Sequence, residues 1–81
     1  MKMLKLRQRC MEKDISSADL ERATQRSRAH ISAVLNARSV PDAADIYAIG
    51  TLLEIPAGEW GEVFFPPEVV RLIARKLEER S

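Results

Sequence analysis

The sequence predicts an all-α protein, and three observations carry that prediction. Apolar residues recur three and four positions apart in Met3, Leu6 and Cys10, in Ile31, Val34 and Leu35, and in Val69, Leu72, Ile73 and Leu77, which is the spacing of one helix face. Serine, aspartate and proline punctuate these stretches where helices begin: Ser16, Ser27, Asp42 and Pro67. No stretch of useful length alternates apolar and polar residues as a strand does. The 81 residues make one folding unit near the lower size limit for a self-sufficient core. The hydrophobic content of 46% is that of a globular chain rather than a disordered one. Tyr47, Trp60, Phe64 and Phe65 are the only aromatics, so the core is expected to be mostly aliphatic.

The elements follow in order. Met1 to Lys13 contains no breaker and reads as a first helix with Met3, Leu6 and Cys10 inward and Lys2, Lys5, Arg9 and Lys13 mostly elsewhere. Asp14 interrupts it, and Ile15 turns back to the core. Ser16 or Ser17 caps a second helix, Asp19 adds charge suited to its positive end, and Leu20 and Ala23 are expected to face inward. This helix ends by Gln25, because Ser27 is a good cap for a third that runs to Asn36. Residues 36–41 are a connector, and Asp42 opens a fourth helix carrying Ala43, Ile46, Ile49, Gly50 and Leu53 at helical period. Gly50 costs about 1 kcal/mol relative to alanine inside a helix, which points to a close helix crossing. Glu54-Ile55-Pro56 is a second connector. Ala57 to Phe65 reads as a short helix weakened by Gly58 and Gly61, and Pro66-Pro67 ends it and starts an amphipathic last helix.

Charge is uneven along the chain. Residues 1–38 carry nine Lys/Arg against four acids, and residues 39–81 carry four against eight, so a net of +5 is followed by −4 within an overall +1. A basic half of this kind suits a phosphate-bearing partner, although two ordinary solvated surfaces produce the same totals. Cys10 has no partner for a disulfide, and one thiol with the single His30 makes no zinc site. Cys10 reads as a small core residue. No serine, histidine and acid constellation points to an enzyme, and no glycine-rich phosphate loop follows a strand. No catalytic residue, metal or cofactor is therefore expected. No apolar run spans a bilayer and no signal-peptide core opens the chain, so the expected location is cytoplasmic.

Residues 15–41, two short helices joined by a tight turn, have the layout of a helix-turn-helix. Leu20, Arg22-Ala23-Thr24, Ser27-Arg28, Ile31-Ser32 and Val34 are similar to the LARATGVSR…IS…I pattern of the phage-repressor and Cro type, the XRE family. The likeness continues through Leu35-Asn36, Arg38, Pro41, Ile46, Ile49, Leu53, Ile55 and Phe64, which resemble the family's LN-x-R-x-x-P stretch, its next helix, its LGV and its closing short helix. The resemblance runs from about Leu6 to Phe64. It implies a five-helix lambda-repressor-like helix-turn-helix domain over residues 1–65, with residues 66–81 as one additional C-terminal helix that packs on the core or dimerises.

The resemblance further implies a small transcriptional regulator, of repressor type, that binds double-stranded DNA in the nucleoid as a homodimer. Its third helix, residues 28–36, enters the major groove. By position, Arg28, Ala29, His30, Ser32 and Ala33 face base edges, while Ser17, Asn36 and Arg38 meet phosphates. Chemistry agrees residue by residue: a guanidinium bonds guanine O6 and N7 together, histidine and serine bond bases or backbone, and alanine touches a thymine methyl. The sequence departs from the family at Glu21 in place of a small residue, Gln25 in place of the turn glycine, and Arg26 in place of an apolar residue. Arg26 is then a further phosphate candidate. Trp60, Phe64, Val69, Ile73 and Leu77 are expected to supply a dimer or partner surface. Two alternatives stay open, a protein-binding module of antitoxin or adaptor type and the DNA-binding head of a larger transposition or regulatory protein.

Overall fold

The computed structural model describes residues 2–80, and among them it contains six helices and no strand. They are α1 (Leu4–Glu12), α2 (Ser17–Thr24), α3 (Arg28–Leu35), α4 (Ala43–Leu52), α5 (Trp60–Phe64) and α6 (Pro67–Arg80). The all-helical expectation is met. The short helix expected over 57–65 divides into a 3-10 turn at Ala57–Glu59 and α5.

Serine and aspartate start the middle helices as the pattern requires. Ser16 Oγ accepts from the Asp19 amide while Asp19 accepts from the Ser16 amide, a capping box that satisfies two amides at the open end of α2. Asp42 and Asp45 repeat this arrangement at α4. The helix ends are less conventional. α1, α3 and α4 close in Schellman motifs: Ile15 N bonds Cys10 O, Arg38 N bonds Ala33 O, and Ile55 N bonds Gly50 O. The left-handed residue of each motif is Asp14, Ala37 or Glu54, with φ of 54–55°, where glycine is the usual occupant. Gln25 has the same conformation after α2 (φ 56°).

Leu6, Leu20, Ile31, Ile49, Leu53, Val63, Phe64 and Val69 pack into one core, with Met3 and Ile55 closing its ends. α2 packs on both α3 and α4, and α5 packs on α1 and α4. Ala23 and Ala43, both expected inward, are exposed, while Leu20 and Ile49, expected inward with them, are buried. Gly50 lies directly against the Trp60 indole, and a Cβ there would stand 2.7 Å from Trp60 Cε2. That ring is held by its N–H, which donates to Ile55 O at 2.8 Å, and by an edge-to-face contact with Tyr47.

Two members of the expected dimer surface are core residues. Phe64 and Val69 are wholly buried in their own domain, because α5 packs on α1 and α4 and the first turn of α6 adds Val69 to the same core. Trp60 is half-buried against Gly50, and Ile73 packs on the edge of the core. Leu77 is 60% exposed, and Val70, which the sequence pattern did not single out, is 52% exposed. No helix among the described residues is long and apolar enough to cross a membrane.

Candidate nucleic-acid interface

The outer face of α3 is built by the elements around it. Ser27 opens the helix, its Oγ accepting from the His30 amide at 3.1 Å. Ile31 and Val34 are buried and fix which side faces inward. At about 100° per residue, Arg28, Ala29, Ser32, Ala33 and Asn36 then share one outward arc. No acid lies on that arc. Arg28 is exposed, and its side chain has no hydrogen bond or ion pair among the described residues. Ala29 is exposed, while Ser32 and Ala33 are half-buried.

His30 falls outside the arc. It was expected at base edges, but its ring points to α4, with Nε2 2.8 Å from Asp45 Oδ2. The acceptor is a carboxylate, so Nε2 carries the proton and donates. Asp45 is 1% exposed, and its other oxygen, Oδ1, lies 3.3 Å from Arg26 Nε without a hydrogen bond. Arg26 also pairs with Asp42. Arg26 was expected at a phosphate; its guanidinium is occupied by Asp42, the N-cap of α4, and by Asp45 within it. Arg26 and His30 therefore tie the turn before α3, and its first turn, to α4. The amide of Asp45 and the nearby Arg26 hold the Asp42 carboxyl below the usual range.

The far end of α3 is held by α1. Arg7 donates to Leu35 O at 2.7 Å and to Asn36 Oδ1 at 3.1 Å, satisfying a carbonyl that α3 leaves open. Its Nε also donates to Lys2 O. Asn36 in turn donates to Ser32 O at 2.8 Å. Arg7 was missed by sequence reasoning. The available signal was its position next to Leu6 and three before Cys10, on the border of the buried stripe of α1. Arg38 is exposed and has only a long 3.5 Å contact to Ser32 Oγ.

A groove runs between α2 and α3, lined by Ser17, Glu21, Arg28, Ser32 and Asn36, with Arg7 at one end. It brings together one expected phosphate residue of α2, two expected base residues of α3 and the Asn36 cap. Glu21 is the one acid on its wall. The apolar cleft on the other side of Arg7 holds Cys10, whose thiol is raised above its usual pKa by burial.

Most other cations are paired away from this face. Lys5 pairs with Glu62, Arg9 with Glu59, Lys13 with Glu54, and Arg22 with Asp19. Among the described residues no group of three His, Cys, Asp or Glu is placed to hold a metal ion. Comparison of the chain with protein-family models, curated proteins and solved structures gives no match.

Proposed function

We propose that this protein is a small sequence-specific DNA-binding regulator of the phage-repressor and Cro kind, with α2 and α3 as its helix-turn-helix and α3 as the major-groove helix. One observation carries the proposal: the outward arc of α3 holds an unpaired, exposed Arg28 and small or polar neighbours with no acid, while five other cations of the first half are bound to carboxylates elsewhere. Arg28 bonds guanine O6 and N7 in this reading, which discriminates against a wrong base by about 1–3 kcal/mol. Ser32 bonds a base or the backbone, and Ala29 and Ala33 contact thymine methyls. Ser17, Asn36 and Arg38 meet phosphates and set register. Arg26 and His30 act as positioning residues that hold α3 on α4. Glu21 is the one acid in this groove, so phosphates are expected at Ser17 and at the Arg28–Asn36 wall, away from it.

A single small half-site gives little specific affinity, so the reading includes a symmetric dimer. Val70 and Leu77, with the outer edge of Ile73, supply its contact on α6. Sedimentation of wild type and a Val70→Glu/Leu77→Glu variant tests this: wild type is a dimer at micromolar concentration and the variant a monomer. A wild type that stays monomeric on DNA favours a different protein as the occupant of that edge.

The test of the function itself is selection from a random duplex library by wild type and Arg28→Ala, followed by titration against salt. Wild type is expected to enrich a short palindrome, and Arg28→Ala to relax one base position. Failure to enrich any site at low salt overturns the proposal.

A further inference from the structure

A second groove has no role in the reading above. It is lined by Lys2, Ala37, Glu68, Arg71, Leu72 and Arg75, so the N-terminal end of α1, the turn after α3 and one edge of α6 meet there. None of its three cations forms an ion pair with a described residue. Glu68 is its only acid; its Oε2 accepts from the Met3 amide at 2.9 Å and stays ionised, so the groove holds three cations against one carboxylate. That bond holds the Glu68 carboxyl below its usual pKa, helped by the nearby Arg71 and Lys2.

The two grooves share no lining residue, but hydrogen bonds and chain adjacency link them. Arg7 bridges them, donating to Asn36 on one side and to the Lys2 carbonyl on the other. Ala37, in the wall of the second groove, follows Asn36 in the first and precedes Arg38. Cations without an ion pair thus line both grooves, Arg28 in the first and Lys2, Arg71 and Arg75 around Glu68 in the second, with Arg38 next to Ala37 between them in sequence. α6 is faceted to allow this. At about 100° per residue, Arg71 and Arg75 project roughly 130° away from Val70 and Leu77, so a basic edge and an apolar edge flank the buried stripe.

We infer that the Lys2–Arg71–Arg75 groove is a second phosphate-binding site, which carries the backbone of the same DNA duplex from α3 onto α6. The inference rests on the DNA-binding reading. Point charges on a rotatable lysine and two arginine forks suit a run of phosphates, and they carry no base information. The site therefore adds affinity and salt dependence, not selectivity.

The test compares wild type, Arg71→Ala/Arg75→Ala and Arg71→Lys/Arg75→Lys on the selected duplex and on a scrambled one, across a salt series. Lys5→Ala/Lys13→Ala, which removes two cations already paired with Glu62 and Glu54, is the charge-matched control. The slope of log affinity against log salt is expected to weaken by about 1.8 in the alanine pair, at about 0.9 per phosphate contact. Affinity for both duplexes should fall by the same factor, with base preference unchanged. The lysine pair and the control should keep the wild-type slope. An unchanged slope in the alanine pair, or an equal loss in the control, overturns the second site while leaving α3 as the reader. Absence of wild-type binding to any duplex overturns both readings together. All four proteins should melt alike, because the substituted side chains are exposed or half-exposed.

Discussion

Gly50→Ala should destabilise this protein, although alanine is the better helix former. The propensity gain alone favours alanine by about 1 kcal/mol. Against it, the new Cβ would stand 2.7, 2.8 and 2.9 Å from Trp60 Cε2, Nε1 and Cζ2. Ordinary carbon contacts are about 3.5–4.0 Å, so the indole must retreat by most of an ångström. It has little freedom to do so, because its N–H is bonded to Ile55 O at 2.8 Å and its ring meets Tyr47 at a 6.4 Å centroid distance. Overpacking of this kind costs about 1–3 kcal/mol, and a lost hydrogen bond about 1 kcal/mol more. The net expectation is a loss of about 2 kcal/mol, or roughly 10 °C in melting temperature for a domain of this size. Urea unfolding followed by helix circular dichroism measures it. A cycle with Trp60→Leu isolates the cause: on that background Gly50→Ala should become neutral or stabilising, with a coupling of about 2 kcal/mol. Additive effects, or a Gly50→Ala protein as stable as wild type, would refute the packing argument.

Two further outcomes follow from the contacts around α3 and from the carboxylates. Asp45→Ala should cost about 2–3 kcal/mol, less than removing one partner of a fully buried pair, because Arg26 and His30 keep some access to water. Asp45→Asn should lose less, since an amide oxygen still accepts from His30; equal urea midpoints for the two variants would sink the clamp. Acid should destabilise the fold. Asp19, Asp42, Glu54 and Glu68 all have native pKa values below their ordinary 3.8 or 4.5, through bonds from Ser16, Asp45, Lys13 and Met3 respectively. A depressed native pKa contributes stability that is complete above the unfolded value and is lost as pH falls through the native one. Urea midpoints should therefore be flat down to about pH 5 and fall below about pH 4, and Asp42→Asn should flatten part of the fall. A midpoint that rises on acidification contradicts the sign.

Helix starts were legible in the sequence because their chemistry is local. A serine or aspartate oxygen reaches an amide three residues on whatever the rest of the chain does, so Ser16, Ser27 and Asp42 each marked a real N-terminus. Helix ends were harder to read. Glycine is the usual marker, yet Asp14, Gln25, Ala37 and Glu54 hold the left-handed positions here, each at about 1–2 kcal/mol of backbone cost. The apolar residue after the turn was the better guide: Ile15 and Ile55 each follow a left-handed residue and return to the core. What the sequence could not disclose was partner choice across the fold. Nothing near His30 announces Asp45, and nothing near Phe64 or Val69 says that both join the core of their own domain. An amphipathic stripe states that one face is covered, and its wording is the same whether a neighbouring helix or a second molecule covers it.

The same limit explains why the charge totals could not locate the basic surface. A basic first half and an acidic second half suggest two faces of opposite sign, but the halves are interleaved in space. Lys5 and Arg9 of α1 and Lys13 at its C-cap meet Glu62, Glu59 and Glu54, which leaves the basic α1 surface largely neutralised by the acidic half itself. Exposed pairs of this type contribute about 0–1 kcal/mol each, too little to explain three of them as stabilising devices. Their larger effect is on the field. They cancel Lys5, Arg9 and Lys13, while Arg28, Arg38 and Arg75 form no ion pair with a described residue and Lys2 and Arg71 share the single carboxylate of Glu68. A chain of net charge +1 can then present a locally positive surface, with Glu21 and Glu68 as the acids within it, because attraction to a phosphate backbone depends on which charges remain unpaired within a Debye length of about 8–10 Å, and not on their sum. Mutating Glu59 or Glu54 to glutamine should accordingly strengthen non-specific polyanion binding by freeing Arg9 or Lys13, at almost no change in stability, and should leave base preference untouched.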